Sequence, residues 1–272
     1  MISNPRFADD IFLLAKNAND LQEIVNKVFQ SSSNSGLKID IAKTEVQTIS
    51  RNQVHLNINI NGQQLKQVDE FVYLGGNIES KGTSRADVKQ RIGKALGAVQ
   101  RLQPIWTAKD IQRTTKVELY RVLVLSILLY GAETWTLKKE DENRLLVFEM
   151  MCLRKILGVS LLDKIRNNRI RQSLDLNHTI IDRVNHRRMK LFGHIQRMNS
   201  TRYPKILMEA NIAEKRPKGR PAKRWTDCIK DSCHAQNLTS IYQMARMAMD
   251  REEWRNIMDR MARQSDPPVP MP

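Results

Sequence analysis

Two adjacent carboxylates, Asp9 and Asp10, have the clearest chemical use in this sequence. They stand in Arg6-Phe7-Ala8-Asp9-Asp10-Ile11-Phe12-Leu13-Leu14-Ala15, between an aromatic residue and an apolar run. The pattern predicts a strand, a tight turn carrying both acids and a second strand, with the apolar flanks buried and the acids at the tip. A carboxylate held at the tip of a stiff hairpin suits a hard cation such as Mg²⁺, which takes one or two carboxylates and leaves its other positions to water and phosphate. Aspartate is also an ordinary turn residue, and an isolated Ala-Asp-Asp would need no further explanation.

The elements that must position this pair follow directly. Leu21, Ile24, Val25, Val28 and Phe29 keep helical spacing, with Asn19 and Gln22 placed to cap the helix and Gly36 to end it. Strand-like pieces come next, at 37–39, 46–49 and the alternating Leu56, Ile58 and Ile60. Asn61-Gly62 is a strong hairpin signal returning the chain through Leu65 and Val68, and Phe71 to Leu74 form a last strand before Gly75-Gly76. From Thr83 the periodicity is helical: a stripe from Val88 to Leu102 stopped at Pro104, a helix from Thr107 to about Tyr130 closed by Gly131, and a third over about 140–157 ending at Gly158. A further helix over about 179–198 is expected to bury Ile180, Val184, Leu191, Ile195 and Met198, and to expose Arg183, Arg187, Arg188, Lys190 and Arg197. Helices at 241–249 and 253–261 precede a proline-rich end. The expected fold class is α+β: a small mixed sheet unit, then a mainly helical bundle and a basic helical region.

At 272 residues the chain is long enough for one large or two modest domains. Its net charge of +16 and pI near 10.0 point to a polyanionic partner. The charge is uneven: residues 1–77 hold seven Lys/Arg against eight Asp/Glu, residues 164–224 seventeen against four. Three cysteines are too few for a disulfide framework and fit a reducing compartment. No basic leader with an apolar core opens the sequence, which speaks against secretion. The most apolar segment, 117–130, is broken by Glu118 and Arg121 and is too short for a membrane span.

Phe7-Ala8-Asp9-Asp10, then a helix, then Gly36-Leu37-Lys38-Ile39, Lys43-Thr44 and Phe71-Val72-Tyr73-Leu74-Gly75-Gly76, resembles the second half of the palm of a non-LTR (LINE-type) retrotransposon reverse transcriptase. The resemblance runs in order through Tyr130-Gly131-Ala132-Glu133-Thr134-Trp135, Leu153-Arg154-Lys155-Ile156-Leu157-Gly158 and the stretch from His186 to Met198. It implies RNA-directed DNA synthesis with Mg²⁺. Asp9 matches the metal ligand, Asp10 the supporting acid, and Lys43 a lysine that protonates the leaving pyrophosphate. Tyr73, Gly75 and Gly76 belong to the hairpin that grips the primer terminus, and Asp40 stands where the family usually has Asn. It also implies a layout: the C-terminal half of the palm over 1–78, a helical thumb over 79–160, a basic nucleic-acid-binding region over 161–225 and a helical tail over 226–272.

In such enzymes a second carboxylate strand faces the acidic turn and fingers hold the template, and both are expected to be missing from this polypeptide. No polymerase activity is therefore expected of it alone, and a non-catalytic DNA- or RNA-binding remnant is the alternative. Template-primer duplex would be held by Lys89, Arg91, Lys94 and Arg101 on the first thumb helix, and by Arg187, Arg188 and Lys190 further on. Arg216, Lys218, Arg220, Lys223 and Arg224 lie in Arg-Pro-Lys-Gly-Arg-Pro-Ala-Lys-Arg, an extended cationic strip. It fits a minor groove, a nuclear-import signal or unspecific phosphate contact; by composition it suggests the nucleus. Cys228, Cys233 and His234 match no usual zinc spacing, and cysteines buried on a helix are the simpler reading.

Overall fold

The computed structural model describes residues 6–50, 54–210, 223–235 and 240–264. The fold is α+β, and the chain forms two compact units, residues 1–87 and 88–272.

In the first unit, β1 (Arg6–Phe7) and β2 (Asp10–Ile11) form an antiparallel hairpin with Phe7 opposite Asp10. The turn therefore holds Ala8 and Asp9, while Asp10 belongs to the returning strand rather than to the tip. Ala8 takes φ +52, a left-handed conformation that costs a non-glycine residue about 1 kcal/mol or more. The flanks are not buried as the alternation suggested: Phe7 is 62% exposed and Ile11 40%, and inward packing begins only at Phe12 and Leu13. Two-residue strands give the flanking side chains no second layer to cover them.

Helix α1 (Ala18–Asn34) is capped by Asn17, whose side chain accepts the Asp20 N–H at 2.8 Å. Neither expected capping residue does this, because the cap must have extended backbone just before the first turn, and Asn17 does, with φ −147. Gln22 instead faces inward, donating to the Asn59 carbonyl at 2.7 Å and accepting the Asn59 N–H at 2.8 Å, so its amide pairs with the sheet like a short strand. Leu21, Val25 and Phe29 turn toward Leu56, Ile58, Ile60 and Leu65 as their spacing requires.

The strands are short: β3 (Glu45–Val46), β4 (Asn59–Ile60), β5 (Gln63–Gln64), β6 (Lys66–Gln67), β7 (Glu70–Tyr73) and β8 (Gly76–Glu79). β3 runs parallel to β6, β4 antiparallel to β5 and β7 antiparallel to β8. No strand forms at 37–39 or 47–49; at the latter, the Gln47 side chain donates to the Asp69 and Ile78 carbonyls instead. Asn61 and Gly62, at φ +49 and +76, make the expected two-residue hairpin turn. Leu74 and Gly75, at φ +47 and +81, repeat it, so Gly76 opens β8 rather than ending a strand.

The second unit is helical. Helix α2 (Arg85–Arg101) is followed by α3 (Gln103–Thr107), which Pro104 opens rather than prevents, since its missing N–H falls in the first turn. α4 (Arg113–Leu119), a π turn over Tyr120–Leu125 and α5 (Ser126–Leu128) form one rod. Gly131 ends the rod at φ +72, and a 3₁₀ corner over Ala132–Thr134 leads to α6 (Lys139–Leu157), which Gly158 closes at φ +71. α7 (Asn167–Gln172), α8 (Ile180–Gln196), α9 (Tyr203–Glu209), α10 (Trp225–Ala235), α11 (Ile241–Met247) and α12 (Arg251–Gln264) complete it.

Two apolar cores divide this unit. Val88, Val99, Tyr120, Leu128, Trp135, Leu145, Leu153 and Ile170 belong to the first, with Ile180 and Val184 from the start of α8. Met189 and Phe192 from the end of α8 belong to the second, with Ile229, Cys233, Met244, Trp254 and Ile257. α8 begins with a reciprocal cap between Thr179 and Asp182. Its buried face is not quite the expected one: Leu191 and Met198 are half-buried, while Arg188, Met189, Phe192 and Gly193 are fully inside. At Gly193 a Cβ would overlap the Trp254 indole, so the helix carries glycine where a helix ordinarily disfavours it. No described helix is long and apolar enough to cross a membrane.

Candidate functional site

The first unit builds the candidate site from two hairpins. The chain leaves the acidic hairpin through Phe12, whose ring lies 5.0 Å from that of Tyr73 and 5.9 Å from that of Phe71 on β7. Aromatic pairs at such separations favour fixed tilted arrangements, so the glycine-turned hairpin and the acidic hairpin are held as one piece. Asp9 and Asp10 are exposed, as oxygen ligands for a solvent-borne ion must be. Tyr73 is half-buried beneath Phe12, and Gly75 and Gly76 are half-exposed beside it.

Lys43 is exposed and pairs with Asp40 at 3.2 Å. The Lys43 ammonium, through that hydrogen bond, holds the Asp40 carboxyl below its ordinary range. Asp40 thus occupies the Lys43 ammonium.

Carboxylates are suitable donors for a divalent metal, and Asp9 with Asp10 would supply one or two ligands. Among the described residues, no group of three or more His, Cys, Asp or Glu is placed to hold a metal ion. The donor set does not fit a pair of bridged ions, which must be clamped from both sides, and no reaction step follows from it here.

In the second unit the expected nucleic-acid contacts separate into two kinds. Lys89, Lys94 and Arg101 are exposed on α2, with Lys94 and Arg101 two turns apart on one face, about 10 Å along the axis. Lys190 is exposed on α8. Arg91 is not available as expected: it is 5% exposed, with its guanidinium 4.3 Å from the centre of the Tyr130 ring.

Arg187 and Arg188 also turn inward. Arg187 donates to the Leu129 carbonyl at 2.7 Å and Arg188 to the Trp135 carbonyl at 2.9 Å, while Trp225 Nε1 donates to the Glu133 carbonyl at 2.8 Å. Three side chains from α8 and α10 thus clamp the corner between Leu129 and Trp135. The motifs at 130–135 and 186–198, far apart in sequence, are two sides of one joint. Burial pulls the Arg188 pKa below its ordinary value.

Lys223 is exposed but bound to Asp231 at 2.6 Å, which raises its pKa. The Arg224 N–H donates to Asp227 at the start of α10, leaving its exposed side chain outward. Arg216, Lys218 and Arg220 lie outside the described residues. Cys228 and Cys233 are buried, Cys233 beside Met244 at 3.2 Å, and burial pushes the Cys233 thiol up to about 11.

Sequence reasoning passed over two buried lysines and one buried ion pair. Lys116 donates to the Trp106 and Ala108 carbonyls, Lys205 to the backbone and side-chain oxygens of Gln196, and Arg171 pairs with Glu149 at 2.6 Å. Helical spacing from Val117 and Tyr120 was the available signal for Lys116; none existed for Lys205.

Residues 3–78 match the family described as reverse transcriptase (RNA-dependent DNA polymerase). Members of it act on nucleic acid and need a divalent metal. Over 268 residues, which include that segment, the chain is 26% identical to a transposon-derived protein of Caenorhabditis elegans, covering 95% of this chain and 96% of that protein. No solved structure matches.

Proposed function

We propose that this chain is the C-terminal half of the palm (1–78), the thumb (79–160), the basic region (161–225) and the helical tail (226–272) of a non-LTR retrotransposon RNA-directed DNA polymerase. On this reading the 272-residue polypeptide by itself holds template-primer nucleic acid without extending it. The observation that carries the reading is the acidic hairpin locked through Phe12 to the β7–β8 hairpin, inside the segment that matches the family. Asp9 would hold Mg²⁺ with Asp10 in support, and Lys43 would face the leaving phosphates once released from Asp40. Only where a facing carboxylate completes the site would bound Mg²⁺ supply activation of the primer hydroxyl and neutralisation of phosphate charge. Lys89, Lys94, Arg101 and Lys190 would hold the duplex through its phosphates. The cationic strip at 215–224 would direct the chain to the nucleus.

Primer extension on poly(rA)·oligo(dT) with Mg²⁺ should stay at background for this polypeptide. Robust extension abolished by Asp9→Ala would sink the inactive reading. Duplex binding should weaken steeply with salt, at about 0.9 in log K per log[salt] for each phosphate contact, and Lys94→Ala with Arg101→Ala should make that slope shallower. A flat salt response would remove nucleic-acid binding altogether.

A further inference from the structure

The second unit contains a cleft of about 770 Å³ that the exposed duplex contacts Lys89, Lys94, Arg101 and Lys190 do not line. It is framed by the π turn, α8, the start of α10 and Met261. Val122, Leu125, Leu129, Leu137 and Met261 give it an apolar lining, and Arg121, Arg183, Arg187, Arg188 and Lys223 bring five cations to it. Three carboxylates are present, but each has a partner of its own. Asp182 accepts the Thr179 N–H and hydroxyl, Glu142 pairs with Lys139 at 3.2 Å, and Asp231 holds Lys223. His178 and His186 also line it, and burial, followed by the nearby Lys190, lowers the His186 pKa.

Arg188 is the informative residue. It is 4% exposed, donates to Asn185 at 2.8 Å and to the Trp135 carbonyl at 2.9 Å, and its Nε has no acceptor. No described carboxylate comes within ion-pair distance of it. Glu142 and Asp231 act on it only from beyond contact, and a buried cation with no anion in contact costs several kcal/mol, which an anion arriving in the cleft would relieve. The side chain of Arg183, five residues earlier on the same helix, forms no hydrogen bond or ion pair with any described residue.

We propose that this cleft takes a single-stranded stretch of nucleic acid, with one phosphate at Arg183 and Arg188, its base on the apolar lining, and the next phosphate toward Arg121 or Lys223. The proposal rests on the reading that the chain handles nucleic acid, and it adds where an unpaired strand goes. The volume is that of a small-ligand pocket, enough for a nucleotide or two. A duplex presents its phosphates on a convex surface with bases stacked inside, so it cannot bring a phosphate to a buried guanidinium. A single strand can splay a base out while its backbone follows the cations.

The test uses the full chain and fluorescence anisotropy with short oligo(dT) and oligo(rU), UMP, inorganic polyphosphate and a blunt-ended duplex. Joint substitution Arg121→Ala and Arg183→Ala should weaken oligo(dT) binding about ten-fold or more. It should also reduce the salt slope by about 0.7 for each phosphate no longer engaged, with duplex affinity unchanged. Arg188→Met should do the same where it folds; the paired variant, at positions not fully buried, decides the matter where it does not.

UMP should bind more weakly than either oligomer, and polyphosphate should compete poorly because it lacks bases. Single-strand affinity unchanged in the paired variant, while duplex binding persists, would overturn the cleft alone. So would polyphosphate competing as well as oligo(dT), or UMP matching the oligomers. Absence of both duplex and single-strand binding in the unsubstituted chain would overturn the cleft together with the functional reading.

Discussion

The two units use charge in opposite ways. In the first, Asp9, Asp10 and Lys43 stand in water on a thin scaffold whose described core is six side chains, Val25, Val46, Leu56, Ile58, Ile60 and Leu65. In the second, beside a main core of twenty-four buried residues, buried cations point inward: Lys116 donates to the Trp106 and Ala108 carbonyls, Arg91 lies against the Tyr130 ring, and Arg188 gives part of its guanidinium to the Trp135 carbonyl. A basic composition is therefore not a basic surface. Part of the +16 is structural, spent on carbonyls at helix corners, while Lys89, Lys94, Arg101 and Lys190 stand exposed among the described residues.

The sharpest way to break this contrast is to attack the thin core. Ile58→Ala should destabilise the first unit by about 2–5 kcal/mol, enough to melt it while the helical unit keeps its circular dichroism. A single transition shared by both units in thermal unfolding would mean that the thin core draws support from elsewhere. Next in size is Gly193→Ala, which should destabilise the second unit by about 1–3 kcal/mol in urea titration. Helix propensity alone would make that change stabilising by about 1 kcal/mol, so the sign decides whether Trp254 really closes on this position.

Thr179→Ala should cost about 1 kcal/mol by removing the reciprocal cap of α8. The smallest effect concerns His186. Its folded pKa lies below its ordinary 6.5, chiefly through burial, so the stability it confers is present above that value and lost as pH falls through the folded pKa. Unfolding free energy measured at neutral and mildly acid pH should fall less in His186→Asn than in the unsubstituted chain.

Much of the architecture was legible because it follows from local stereochemistry. Asn61-Gly62 specified its turn, Gly131 and Gly158 their helix ends, and Leu56, Ile58 and Ile60 their inward face. The acidic pair was legible as chemistry, but which residue sits at the turn was set by pairing register, visible only once Phe7 faces Asp10. The misplaced arginines had a signal that went unread. Arg91 lies three residues after Val88 and four before Ala95, and Arg188 four after Val184 and four before Phe192, which puts both on the buried stripe. A charged residue type outweighed its position in that reading, and a carbonyl partner from a distant corner cannot be inferred from spacing.

Helix α8 enters one core with Ile180 and Val184 and leaves through another with Met189 and Phe192. Its amides cannot open at one end without loosening side chains that belong to the other, so hydrogen exchange along α8 should follow a single cooperative opening rather than fraying from each terminus. A guest anion gripped at Arg188, midway along the helix, would then slow exchange in both cores at once.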